Sequence, residues 1–138
     1  MNETGEDQLR VFKNKPFTRF ARKNEISDFD LCKSSLDADH GLIDADLGGG
    51  VIKQRLARKG SGKSGGFRAM IFFRSGDRAI FVHGFAKTDV ENIRPDELVA
   101  LKKLAAEMLF YRIEELENVI ASGTLIEVKC DGDNKAVS

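Results

Sequence analysis

Apolar residues repeat with two different periods along this chain, and the period changes near residue 51 and again near residue 95. Helical spacing in the first part predicts a helix over Phe17–Lys23 and a second helix that starts at Ser27. Ser27 is followed three residues later by Asp30, as in a capping box, and Gly41 follows the last periodic residues as a stop signal. The N-terminal part is therefore expected to be helical.

The middle of the chain alternates apolar and polar residues and is rich in β-branched and aromatic side chains. This pattern predicts three strands, Val51–Ala57, Phe67–Arg74 and Arg78–Phe85. A short hairpin loop over 75–77 joins the last two strands, and a longer loop rich in Gly and Lys, over 58–66, joins the first two. These strands are expected to form a meander.

Helical spacing resumes at Pro95, with acidic residues in the first turn where the helix dipole favours them. The apolar stripe of this helix consists of Leu98, Leu101, Leu104, Ala105, Met108 and Leu109. Further elements are predicted as a strand at Arg10–Asn14, a helix at Ile113–Ala121 and a strand at Thr124–Val128. The order predicts an α+β fold in which N-terminal helices pack on a small twisted antiparallel sheet, followed by C-terminal helices.

The chain has 138 residues, which suits a single domain. We expect this domain over residues 10–130, with polar tails at 1–9 and 131–138. No apolar run approaches the roughly 20 residues that cross a bilayer, and the polar, acidic start does not resemble a secretory signal. A cytoplasmic protein with no membrane partner is expected.

The two cysteines, Cys32 and Cys130, are widely separated and belong to no CxxC motif. They cannot provide a disulfide framework or, alone, a zinc site, and two free thiols suit a reducing cytosol. Cys32 is expected to be a buried small apolar residue. No cofactor or metal is predicted.

The net charge is zero, because 22 basic side chains balance 22 acidic ones, but the charges are segregated. Residues 25–52 carry seven acids and one Lys, whereas residues 53–87 carry nine basic side chains and one acid, Asp77. The basic segment coincides with the three predicted strands. A neutral chain of this kind is expected to bind nucleic acid at one focused site.

Strand alternation places Lys53 and Arg55 on one face of their strand, and Arg68 and Arg74 on one face of the next. With Lys63 and Lys87 beside them, these side chains predict a basic sheet face that binds phosphates. The alternative is a solvated face whose positive charge pairs with the acidic helices.

Two loops and two histidines have simpler interpretations. Residues 57–64 fit a relaxed Walker A pattern, but a strand follows where a helix is required, so a hairpin loop is expected. Asp44–Gly50 lacks the ligand spacing of a calcium loop and reads as a turn into the first sheet strand. His40 suits a helix C-terminus, and His83 shares a strand face with Phe81 and Phe85, with proton transfer as a second possible role.

Five segments together resemble the RelE/HigB-like type II toxin family, in the branch of cytotoxic translational repressors. They are Arg10–Lys13, Phe17–Asn24, Gly41–Gly50, Gly62–Arg68 and His83–Lys87. The resemblance covers about residues 10–128 and implies a RelE-like fold. It also implies a ribosome-dependent mRNA endonuclease, in which the 2′-hydroxyl of RNA attacks the adjacent phosphate. The implied partners are ribosome, mRNA and a cognate antitoxin, often a helix-turn-helix DNA-binding protein.

The resemblance also implies roles for individual residues. Lys53 and Arg68 would contact the phosphate in the transition state, Arg55 would position the substrate, and Lys87 would stabilise charge on the scissile phosphate. His83 is a candidate general acid or base, and Arg58, Lys63 and Arg74 are candidate RNA-binding residues. Some RelE proteins place a Tyr after the last strand, but the only Tyr here, Tyr111, falls inside a predicted helix.

Two other functions remain open from the residues. ParE relatives share the fold and arrest growth by binding DNA gyrase without chemistry, but they tend to lack the basic set. A structural or interaction domain could instead use its basic face only to dock acidic partners, including its own acidic segment over 25–46.

Overall fold

The computed structural model describes residues 9–56, 66–86 and 93–130. The predicted tails lie outside the described residues except for Leu9, as does the loop over 58–66 except for Gly66. No helix in the described part of the chain has the length and apolar character needed to cross a membrane.

Four helices and six strands make up the described chain. In chain order they are β1 (Arg10–Asn14), α1 (Lys15–Lys23), α2 (Asp28–Asp39), β2 (Ala45–Gly48), β3 (Val51–Leu56), β4 (Phe67–Arg74), β5 (Arg78–Ala86), α3 (Pro95–Met108), α4 (Ile113–Ala121) and β6 (Leu125–Val128). The predicted α+β class is confirmed, and most predicted elements are present.

The six strands form one sheet in the order β2-β3-β4-β5-β1-β6. All neighbouring strands are antiparallel except β1 and β5, which run parallel with Arg10 opposite Arg78. The predicted all-antiparallel sheet is therefore wrong in this respect. The short edge strand β2 occupies part of the segment predicted as a turn, because pairing with β3 extends a four-residue segment that has no strand pattern of its own.

Helices cover both faces of this sheet. Helices α1 and α2 cover one face, where Phe17 and Leu31 pack against Ile71 and Phe81. Helices α3 and α4 lie over the opposite face, where buried residues of both helices join Phe12, Phe72 and Ile80 in a second core. The second core surrounds one end of the sheet face, and the opposite end carries the polar residues described below.

The start of α2 confirms the predicted capping box. The Ser27 hydroxyl accepts a hydrogen bond from the Asp30 N–H at 3.1 Å, and the Asp30 carboxylate accepts one from the Ser27 N–H at 3.0 Å. Ile26 and Leu31 on either side are both buried. The pairing of polar groups and the apolar contact together fix where α2 begins.

Helix α3 buries only the C-terminal part of its predicted apolar stripe. Ala105, Met108 and Leu109 are buried, whereas the Leu104 side chain is 43% exposed and Leu101 is half-buried. The N-terminal half of α3 therefore stands away from the sheet, and a cleft remains beneath it.

A disulfide joins Cys32 on α2 to Cys130 just after β6, with the two Cα atoms 5.7 Å apart. The predicted pair of free thiols is therefore wrong, although Cys32 is buried as expected. Helix α2 packs against both β1 and β6, and this packing brings together residues that are 98 positions apart in sequence. Sequence separation gave no indication of that proximity.

Gly50→Ala is expected to destabilise the protein by about 2 to 4 kcal/mol, because two costs coincide at this position. Gly50 has a φ of +87°. A Cβ atom added at this position would lie 2.6 Å from the Cδ1 atom of Leu109, the residue that follows α3. Gly76, with a φ of +73° and no atom within 4 Å of its added Cβ, provides a matched control. Urea unfolding of both variants measures the difference; equal losses would show that the contact with Leu109 contributes nothing.

Candidate functional site

The register of β3, β4 and β5 places polar side chains in two adjacent rows on the sheet face that α3 covers. We call these the basic rows: Lys53, Met70 and His83 form the first, and Arg55, Arg68 and Phe85 form the second. Directly opposed residues on antiparallel strands point to the same face. Four of the predicted catalytic residues are therefore brought together.

A β-bulge in β5 puts His83 on this face. The pairing shifts between Met70, opposite His83, and Ile71, opposite Phe81, so that Val82 is an extra residue in β5. His83 stacks on Phe85 with ring centroids 5.9 Å apart, whereas Phe81 belongs to the core under α1 and α2. The prediction that His83 shares a face with Phe85 is confirmed, and the same prediction for Phe81 is wrong because of the bulge.

Arg68 forms the shorter of the two ion pairs in the basic rows. Its Nη1 atom lies 3.0 Å from a carboxylate oxygen of Asp44, and 28% of its side chain is exposed. Its Nε atom is buried and has no hydrogen-bond partner among the described residues. A buried N–H without an acceptor is unfavourable, so an oxygen of a bound phosphate would improve its environment.

Lys53 and Arg55 occupy the β3 ends of the two basic rows. The Arg55 side chain is 71% exposed, and its Nε atom lies 3.3 Å from Asp44. Lys53 is half-buried and forms no ion pair within the described ranges. Asp44 is thus the one described carboxylate in contact with the two arginines, and Lys53 adds a further positive charge on the same face.

A cavity of about 500 Å³ separates the first basic row from the N-terminal half of α3. Met70 and His83 line it on the sheet side, and Leu101 and Leu104 line it on the helix side. Glu97 also lines this cleft, but its carboxylate accepts a hydrogen bond from the Arg94 N–H at the start of α3. The cleft is mostly apolar and opens beside the cations.

The structure does not bring Arg74 into this cluster. Arg74 lies six residues along β4 from Arg68, about 20 Å at 3.3 Å per residue. It donates to the Leu109 carbonyl at 3.3 Å, contacts Asp77 at 3.1 Å and stacks on the Phe110 ring at 4.4 Å. The remaining predicted site residues, Arg58, Lys63 and Lys87, lie outside the described residues.

Two residues lie in structural positions other than those that the sequence predicted. Asp44, which the sequence predicted to lie in a turn, contacts both arginines of the second row. No sequence motif identifies this residue as part of the site, because its contacts depend on the pairing of β2 with β3. Tyr111, predicted inside a helix, lies in the connection between α3 and α4 and packs against the second core. Burial, followed by the charges of Glu107 and Glu115, raises the pKa of its phenol.

The basic rows combine the groups that phosphoryl chemistry requires. Guanidinium and ammonium groups stabilise negative charge that develops on a phosphate, and arginine can bind two of its oxygens at once. An exposed imidazole can exchange a proton near neutral pH. The arrangement therefore suits cleavage or binding of a phosphodiester.

Comparison with known proteins identifies the family of this chain. The family model of the RelE toxin of the RelE/RelB toxin–antitoxin system matches residues 9–128. The chain therefore belongs to the RelE toxin family. No individual curated protein matches the chain significantly. Family membership gives the protein the role of a toxin in a toxin–antitoxin system and implies a cognate antitoxin as its partner.

Proposed function

We propose that this toxin inhibits translation by cleaving mRNA on the ribosome. The observation that carries the proposal is the convergence of Lys53, Arg55, Arg68 and His83 on one sheet face beside an open cleft. RelE toxins are generally translation-dependent endoribonucleases, and a neutral chain with one focused basic site suits a shaped target such as the ribosome.

In the proposed reaction, the 2′-hydroxyl oxygen of one nucleotide attacks the adjacent phosphorus, and the bond to the 5′-oxygen of the next nucleotide breaks. The products carry a 2′,3′-cyclic phosphate and a 5′-hydroxyl. Arg68 and Lys53 stabilise the additional negative charge on the phosphate oxygens, and Arg55 positions the RNA backbone. His83 moves a proton, either from the 2′-hydroxyl or to the 5′-oxygen.

Pairing with the described acidic residues does not account for the charge of Lys53, Arg55 and Arg68. Among the described acidic residues, Asp44 alone contacts Arg55 and Arg68, and Lys53 stays unpaired there. The surplus of positive charge favours an anionic ligand over a sheet face that is neutralised internally. This charge balance argues against the alternative function, in which the protein is an interaction domain and its own acidic segment is the main partner of the basic face.

The proposal has further components that follow from the family. We propose a cytoplasmic protein, ribosome and mRNA as its targets, and a helix-turn-helix DNA-binding protein as the antitoxin. Three further residues remain candidates for contacts with the RNA backbone because of their positions in the sequence. Lys87 follows β5, and Arg58 and Lys63 lie between β3 and β4.

Primer extension on a defined mRNA tests the nuclease activity. Cells that express the wild-type protein should contain new 5′ ends within the coding region, and Lys53→Ala should reduce them about 100-fold, because a charge opposite the developing phosphate anion is lost. Lys33→Ala is the matched control, since Lys33 lies on α2 and pairs with Asp37 at 3.4 Å. This control should cleave like the wild type.

Two outcomes would contradict the proposal. Growth arrest with intact transcripts would show that the toxin acts without RNA cleavage. Inhibition of DNA gyrase supercoiling by the purified protein, in the absence of RNA, would instead support a toxin of the ParE type.

A further inference from the structure

Asp44 joins the two arginines of the second basic row. Its Oδ2 atom lies 3.0 Å from Arg68 Nη1, and its Oδ1 atom lies 3.3 Å from Arg55 Nε. The Asp44 side chain is only 18% exposed, so its pairing with Arg68 is partly shielded from water. Among the described acidic residues, it alone contacts these two arginines.

A buried glutamine fixes the backbone of Asp44. The Gln54 Oε1 atom accepts a hydrogen bond from the Asp44 N–H at 2.8 Å. The Gln54 Nε2 atom donates to the carbonyls of Ser34 at 3.2 Å and Leu42 at 3.0 Å. Gln54 is 3% exposed, so this network ties the segment before β2 to α2 and β3 from inside the protein. The carboxylate is therefore presented from a rigid support.

Arg68 needs such a support because of its neighbours. Arg55 lies directly opposite it on β3, and like charges in this position repel each other. An arginine side chain also has many rotamers, and most of them would carry the guanidinium group of Arg68 away from the sheet. The contact with Asp44 occupies Nη1 and leaves the buried Nε atom without an acceptor among the described residues.

We propose that Asp44 is a positioning residue that holds the Arg68 guanidinium group in the orientation that receives the scissile phosphate. This inference rests on the proposed nuclease function. Asp44 acts through Arg68, and each of its oxygen atoms contacts an arginine. A carboxylate that served as the general base would instead need an oxygen directed at the 2′-hydroxyl.

Asp44→Asn tests the proposal, because it keeps the side-chain shape and the backbone hydrogen bond to Gln54 but removes the charge. The single-turnover cleavage rate on programmed ribosomes should fall at least tenfold, while ribosome affinity stays equal or increases and the thermal midpoint stays within a few degrees. Asp44→Glu should recover part of the rate. Asp46→Asn is the matched control, since the Asp46 carboxylate is exposed and accepts a hydrogen bond from the Gly48 N–H at 2.9 Å.

The alternative roles give different results. A cleavage rate at or above that of the wild type in Asp44→Asn would overturn the proposal and indicate that Asp44 merely competes with RNA for the arginines. Loss of one limb of the pH–rate profile in Asp44→Asn would also overturn it, because that change identifies a general base.

A measurement without RNA separates this proposal from the proposed function. NMR spectra of arginine side chains report how fast a guanidinium group rotates and how fast it exchanges its protons with water. Both rates should be slow for Arg68 in the wild type and faster in Asp44→Asn. If the wild type cleaves no mRNA but shows this change, the nuclease function fails and the positioning of Arg68 by Asp44 stands. Equal spectra in the two proteins would refute the positioning role, whatever the activity.

Discussion

Breaking the disulfide between Cys32 and Cys130 is expected to lower the free energy of unfolding by about 4 to 5 kcal/mol. The bond closes a loop of 98 residues, and in the chain-entropy model a long closed loop restricts the unfolded chain strongly. It also anchors the chain directly after β6, an edge strand that pairs only with β1. Loss of the bond should therefore weaken the β1–β6 edge first.

Urea and thermal unfolding with and without a reductant measure this effect. The thermal midpoint should fall by about 10 to 20 °C in reductant. The double variant Cys32→Ala, Cys130→Ala should unfold at the lower midpoint under both conditions, which separates the bond from side effects of the reductant. An unchanged midpoint in both experiments would show that the bond contributes no net stability.

Arg68→Ala is expected to lower the single-turnover rate of mRNA cleavage by about 100- to 1,000-fold, the range found when one donor to a transition-state oxyanion is removed. Arg68 is the partly enclosed cation at the centre of the second basic row. Its buried Nε atom has no hydrogen-bond acceptor among the described residues. Arg68→Lys should recover only part of the rate, because an ammonium group cannot bind two phosphate oxygens in parallel.

Arg74→Ala provides the matched control for Arg68→Ala. Arg74 has the same side chain on the same strand, but it contacts Leu109, Asp77 and Phe110 at the far end of β4. Its loss should change RNA affinity severalfold at most and leave the rate at saturating ribosomes unchanged. Equal losses of rate in both variants would contradict a local role for Arg68, and thermal midpoints of both proteins would then show whether instability is the common cause.

Local patterns predicted much of this fold. The capping residues Ser27 and Asp30 defined the start of α2, and the alternation over Phe67–Arg74 predicted β4 with its observed bounds. Both signals depend on residues close together in sequence. The parallel pairing of β1 with β5 and the disulfide depend on residues far apart, and no periodicity in a single sequence reports such contacts.

The candidate site was predictable to a similar extent. Alternation placed Lys53 and Arg55 together, and the register added Arg68 opposite Arg55. Asp44 was missed because β2, which follows it, is a four-residue edge strand that forms only by pairing with β3. Alternation predicted correctly that His83 shares a face with Phe85 but not that Phe81 lies on the other face. Alternation assumes a regular strand, whereas β5 contains an extra residue.

The bulge in β5 has a consequence for the comparison of related chains. Val82 is an additional residue between Phe81, which faces α1 and α2, and His83, which faces the basic rows. A relative that lacks Val82 would pair regularly and keep Phe81 opposite Ile71 and His83 opposite Met70, so the faces of these side chains would not change. Alignments of the family through this strand should therefore be anchored on the pairing with β4, so that a gap at position 82 keeps Phe81 at a core position and His83 at a position in the basic rows.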